Sequence, residues 1–220
     1  MLMKGASAIM WQYFGMADKK LIKSAGEHWT CSMLARSGWA AALTRDGVER
    51  TDVIGAHSDG ALVSIQVKTT TTERNPKFMF GAKGCDPAKS DREWYVLVVL
   101  PSNPDSAPRS FVVPRDHVAA AVWIRHQEWL TNPSVPAGKR NTGLALNRAE
   151  AWIFARYEQR WDLLLERTNK VPIMLPPRFR EWATNPRVGL PTTHPWAAKL
   201  PKWDTSETSA SWKDWATAAK

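Results

Sequence analysis

A chain of 220 residues with 44% hydrophobic content can bury one packed core with an appendage, or two small cores. Its 30 Lys and Arg against 21 Asp and Glu leave a formal net charge of +9, which favours polyanionic partners, nucleic acid first among them. No apolar run approaches the roughly 20 residues of a membrane span, and Cys31 and Cys85 supply neither a disulfide framework nor a zinc cluster.

In chain order, residues 1–18 form an N-terminal segment whose short apolar stretch is interrupted by Gln12. A secretion signal is therefore not expected, and the cytoplasm is the default compartment. Lys19 to Ser37 predicts a helix, with Ile22, Ala25, Trp29 and Met33 at helical spacing and Gly38 as its stop. Glu27 lies off that apolar line. Trp39 to Thr44 reads as a first strand, followed by the turn Arg45-Asp46-Gly47.

The run from Thr51 to Lys68 reads as a hairpin. Asp52 to Ala56 and Ala61 to Lys68 are rich in β-branched and apolar residues, and Asp59-Gly60 between them is a strong turn signal. If Ser58, Asp59 and Gly60 form a three-residue loop, Asp52 faces Gln66, and Asp52, Gln66 and Lys68 share one side of the sheet. A two-residue loop would turn Gln66 to the other side. The convergence therefore needs the odd-length loop or a bulge, for which Gly55 is a candidate.

Beyond the hairpin, Thr69 to Asp91 reads as a long polar loop, equally suited to phosphate contact and to plain solvation. Trp94 to Leu100 predicts a buried strand, Ser110 to Pro114 another, and Asp116 to Leu130 a helix. Asn147 to Thr168 has the strongest helical pattern. It has Asn147 as its cap, Glu150 three residues on, and a stripe of Ile153, Tyr157, Trp161, Leu164 and Leu165. From residue 169 the composition changes: seven of the fifteen prolines lie between Pro172 and Pro201, and Trp182, Trp196, Trp203, Trp212 and Trp215 follow one another. Such sequence suits an extended basic arm over 169–220, anchored on the domain by its Trp rings, rather than a core of its own. Stacking of those rings on unpaired bases is the other reading. Ser206 to Lys220 is expected to include a short helix.

An acid opening one strand, a Gln and a Lys two residues apart closing the next, and an upstream helical Glu27 resemble the PD-(D/E)XK (restriction endonuclease-like) nuclease superfamily. The variant is the one with Gln in place of the second acid. The resemblance runs from Lys20 to about Val118, with the Arg156 to Leu165 helix added. Thr51 stands where the family has Pro, and neutral Gln66 leaves the site one negative charge short. The resemblance implies an α/β fold over 19–168, with a mixed, mostly antiparallel sheet of four or five strands flanked by helices.

It also implies Mg²⁺ or Mn²⁺ as cofactor, a hard cation that takes oxygen ligands. Asp52 supplies a carboxylate oxygen, Gln66 an amide oxygen and Val67 its backbone carbonyl. Glu27 holds a water or a second metal from the helix. Lys68 orients the attacking water and offsets charge in the transition state. Lys23, Thr69, Thr70, Arg74 and Lys77 border this end of the hairpin and are the expected phosphate contacts.

The function so implied is metal-dependent endonucleolytic hydrolysis, of DNA rather than RNA. Cutting both strands of a duplex calls for a homodimer or higher homo-oligomer. Two other readings stand beside it: a non-catalytic nucleic-acid-binding module on the same fold, and an interaction partner that docks another protein through its Trp-rich tail.

Overall fold

The structure is a computed structural model that describes residues 18–45, 48–140 and 143–204. The expectations for Met1 to Ala17, for the Asp46-Gly47 turn, for Trp212 and Trp215 and for a helix over 206–220 lie outside the described residues.

A helix, α1 (Lys19–Arg36), opens the fold, and the side chain of Asp18 accepts the Lys20 N–H at its start (2.9 Å). Five strands form the central sheet: β1 (Trp39–Leu43), β2 (Val53–His57), β3 (Leu62–Thr70), β5 (Glu93–Val99) and β6 (Arg109–Pro114), in the order β1-β2-β3-β5-β6. All neighbours are antiparallel except β3 and β5, which run parallel. The fold is therefore the expected α/β arrangement, a mixed and mostly antiparallel sheet flanked by helices. A parallel pair needs a long crossover. Here it carries a short strand β4 (Lys77–Met79) and a 3-10 turn over Ala82–Cys85, in a region that the polar sequence marks only as loop. A second long helix, α2 (Arg115–Thr131), follows β6 directly.

The hairpin has the register of the odd-length loop. Val53 faces Ile65 and Ile54 faces Ser64. His57 N–H donates to Ala61 (2.9 Å), and Gly60 adopts a φ of 88° that an L side chain rarely takes. Val63, Ile65, Val67 and Thr69 point towards α1, whereas Ser64, Gln66 and Lys68 point away, beside Tyr95 and Leu97 of β5.

On α1 the buried line is Gly26, Thr30 and Leu34, not the stripe through Ile22 and Ala25. The cause is a close approach: a Cβ on Gly26 would lie 2.0 Å from the Thr69 hydroxyl oxygen, so only glycine lets the helix settle this deeply on β3. Trp29 completes the seat by donating its indole N–H to Ser110 on β6 (2.8 Å).

The helix expected over 147–168 does not form. Arg148–Glu150 is instead a strand, β7, paired with β4, and 3-10 turns follow at Ala151–Tyr157 and Trp161–Leu165. Backbone groups that a helix would pair internally go to neighbours: Ala151 N–H donates to Pro76 (2.8 Å) and Gln159 N–H to Ser110 (2.8 Å). Ile153, Phe154, Tyr157, Trp161, Leu163 and Leu164 are all buried, too wide a spread for one helical stripe, while Leu165 is exposed. The Arg156 to Leu165 part of the family resemblance is thus not an α-helix but the end of one 3-10 turn and the whole of another.

Residues 171–204 are not merely draped on the surface. Val171, Ile173, Met174, Leu175, Phe179, Trp196 and Trp203 belong to the same buried cluster as the sheet. A helix, α3 (Pro177–Thr184), lies within this stretch, and Pro177 suits its first position because no N–H is needed there.

Candidate active site

The sheet brings the predicted residues to the end where β2 begins and β3 closes. Asp52 stands just before β2. Its N–H donates to the carbonyl of Ile65 (2.8 Å), the residue that Val53 also faces. Two successive residues thus address one partner, as at a β-bulge, and the bulge sits at Asp52 rather than at Gly55. The consequence is geometric. Asp52 does not simply face Gln66: its carboxylate turns to the edge of β3 and accepts the Val67 N–H through Oδ2 (2.8 Å). A strand residue directs its N–H and C=O to the same edge, so the Val67 carbonyl emerges on the Asp52 side, where β2 has already ended.

Glu27 reaches this edge from α1, one residue beyond the close contact at Gly26. The Lys23 ammonium lies 3.3 Å from Glu27 Oε1 and 3.6 Å from Asp52 Oδ1. Both carboxylates are largely covered, with side-chain exposures of 15% and 17%. Burial raises the Glu27 pKa, Lys23 opposes the rise, and the neighbouring Asp52 charge adds to it. Lys68 arrives from the other side of β3. Its pKa is lowered, first by burial, with the Asp52 charge pulling it back up and Arg115 and Lys23 lowering it further. The Asp52 charge is therefore felt both by Glu27 on the helix side and by Lys68 on the other.

Gln66 is held by a residue that the sequence reading passed over. Arg115, fully buried at the start of α2, donates to Gln66 Oε1 (2.8 Å), to the Tyr95 hydroxyl (3.2 Å) and to the backbone carbonyl of Arg50 (3.3 Å). Its guanidinium lies 4.5 Å from the Tyr95 ring centroid and 2.9 Å from Glu93 Oε2. Arg50 pairs with the same carboxylate oxygen (2.9 Å) and has a φ of 70°. The network ties the turn before Asp52 to β3, β5 and α2. A fully charged residue ending the apolar run Phe-Val-Val-Pro was the available signal.

The expected phosphate contacts divide. Arg74 and Lys77 are exposed, Lys77 on β4 opposite Glu150. Thr70 accepts the Thr72 N–H (3.2 Å). Lys23 is engaged by the two carboxylates. Thr69 is a correction: its hydroxyl is sealed under α1 against Gly26 with no hydrogen-bond partner, because the pleat turns it to the helix side of β3.

Among the described residues no three His, Cys, Asp or Glu side chains gather as a metal centre. The donor set is two carboxylates and the Val67 carbonyl edge, all hard oxygen donors of the kind Mg²⁺ and Mn²⁺ take. That set fits a divalent cation, and the Lys23 ammonium between the carboxylates is a positive charge already drawn to the spot. No helix of the described residues is long and apolar enough to cross a membrane.

No protein-family model matches the chain, and no curated protein matches it. Among solved structures it is similar to a bacterial homing endonuclease, I-Ssp6803I, at 14% identity and a TM-score of 0.45, over 68% of this chain and 93% of that one. At that identity and score, residue roles in this chain rest on their own geometry.

Proposed function

We propose that the protein is a metal-dependent endonuclease of the PD-(D/E)XK kind that hydrolyses phosphodiester bonds in DNA. The observation that carries this reading is the meeting of Glu27, Asp52, Lys68 and the Val67 backbone at one sheet end. Asp52 and the Val67 carbonyl are the residues to hold Mg²⁺ or Mn²⁺, with Glu27 holding a further water or metal. A cation there supplies Lewis-acid polarisation of the phosphoryl group and a more acidic water.

The chain's own residues do the rest. Glu27, its pKa raised, is suited to accept a proton from the attacking water. Lys68, half-buried and with its pKa lowered, places an ammonium donor where negative charge grows on the phosphoryl oxygens. The net charge of +9 brings the polyanion to the surface. One such site cuts one strand, so duplex cleavage on both strands requires a second copy of the chain.

The test is supercoiled plasmid and single-stranded DNA incubated with the full chain and Mg²⁺ or Mn²⁺, beside EDTA, Lys68→Ala and Asp52→Asn. Metal-dependent nicking abolished by either substitution is the expected result. DNA binding without cleavage in any metal, unchanged by Lys68→Ala, would replace this reading with a non-catalytic DNA-binding module.

A further inference from the structure

The position expected to supply a metal ligand, Gln66, is committed elsewhere. Arg115 takes its amide oxygen at 2.8 Å. A guanidinium has donors only, so the amide must turn its oxygen towards Arg115 and its Nε2 hydrogens away. Nε2 makes no hydrogen bond among the described residues, and it is not one of the enclosed, unpartnered polar atoms, so on this half-buried side chain it is not sealed from solvent. Behind Gln66, Arg115 and Arg50 both pair with Glu93 at 2.9 Å each, and Arg50 also lies 4.0 Å from Asp86. A dication bound to the same amide oxygen would sit directly against the Arg115 guanidinium, with only a neutral ligand between the two charges.

We infer that Gln66 serves the site as a hydrogen-bond donor to an anionic phosphate oxygen through Nε2, not as a metal ligand, and that Arg115 is the positioning residue that fixes the amide this way round. The inference rests on the nuclease reading above. It also accounts for a neutral residue at this place. A carboxylate here would be drawn into the Arg115 pair and would present no N–H to the substrate, whereas an amide satisfies Arg115 with one end and leaves two donors on the other. Arg115 additionally holds the Arg50 carbonyl, so one guanidinium sets the Gln66 amide and the turn that leads into Asp52.

The experiment measures Mn²⁺ binding by electron paramagnetic resonance and plasmid nicking on the same preparations of the full chain. The proteins are wild type, Gln66→Met, Gln66→Glu and Asp52→Asn. Gln66→Met, which has neither oxygen nor N–H, should bind Mn²⁺ within about twofold of wild type and nick about 100-fold more slowly, the loss typical of one transition-state donor. Gln66→Glu, which keeps an oxygen but has no N–H, should nick as slowly.

Mn²⁺ affinity weakened about tenfold or more in Gln66→Met, the loss of a ligand worth at least about 1.4 kcal/mol, would overturn the inference. So would Gln66→Glu nicking at the wild-type rate. Asp52→Asn should lose Mn²⁺ in every case, which shows that the signal reports this site. A wild-type chain that neither binds Mn²⁺ nor nicks would defeat the nuclease reading itself, before any variant is compared.

Discussion

Gly26→Ala tests the contact that seats α1, and with it Glu27, on the sheet. The new Cβ would lie 2.0 Å from Thr69 Oγ1 and 3.0 Å from both Thr69 Cβ and Cγ2. Rotating Thr69 cannot move its Cβ, which stays at 3.0 Å with a γ atom still close by, so the helix must lift from β3. Overpacking of this kind costs about 1–3 kcal/mol. Alanine in a helix recovers about 0.8–1.0 kcal/mol relative to glycine. The net loss should be up to about 2 kcal/mol. Thr69→Ala removes both offending γ atoms, together with a buried hydroxyl that has no partner. In that background Gly26→Ala keeps its helix benefit and should be neutral, or stabilising by up to about 1 kcal/mol. Urea denaturation of the four proteins, followed by far-UV circular dichroism, should give a coupling energy of about 1–3 kcal/mol, the overpacking cost itself. Nicking should fall in the single variant and recover in the double one, because Glu27 moves with the helix. Additivity within about 0.5 kcal/mol would refute the contact as the reason for a glycine at this place.

Lys23→Met removes the ammonium held between Glu27 and Asp52 and should tighten Mn²⁺ binding about fivefold. That is roughly 1 kcal/mol for a half-exposed pair, read by calorimetric titration, and weaker binding would show that Lys23 does not compete for the carboxylates. His117 is buried, with its pKa pushed down to about 3 by loss of hydration. Met174 N–H donates to the Tyr157 hydroxyl, which leaves that O–H to donate to His117 Nδ1 and keeps the ring neutral. The unfolded state takes up this proton first, so the stability is complete above the ordinary histidine pKa and is lost as pH falls from about 6.5 towards 3, at up to about 1.4 kcal/mol per pH unit. Thermal unfolding of wild type and His117→Leu across pH 4 to 7 should show the variant's slope shallower by about one proton, and parallel slopes would contradict it. Trp203→Ala should cost about 3–5 kcal/mol in urea, since the ring is buried, packs against Trp196 and donates to the Leu175 carbonyl (2.8 Å); a cost below about 1 kcal/mol would mean that this stretch does not share the core.

The parts of the fold legible in the sequence were those with local causes. The hairpin itself followed from Asp59-Gly60 and the alternation of Val63, Ile65 and Val67, with the structure choosing the odd-length loop of the two registers left open, and β5 followed from an unbroken apolar run buried on both faces. The 147–168 stretch was misread because its apolar residues are spaced for a helix while its backbone partners, Pro76, Ser110 and β4, lie far away in sequence. The C-terminal segment is anchored by its Trp rings as expected at Trp196 and Trp203, but its helix and its aliphatic anchors were not legible, for a related reason. Proline-rich sequence lacks the periodicity that marks a core element, yet Ile173, Leu175, Phe179 and Trp203 are buried one by one against surfaces made by the rest of the chain.

The candidate site divides along the same line. Asp52, Gln66 and Lys68 could be found because seventeen consecutive residues hold all three. The residues that decide what they do come from elsewhere: Gly26 and Thr69 set the depth of Glu27, and Arg115 sets the direction of the Gln66 amide. A motif can therefore name the atoms of this site but not their orientation. Orientation is what separates a Gln that binds a cation from a Gln that donates to a phosphate, and here a buried guanidinium 49 residues away in sequence makes the choice.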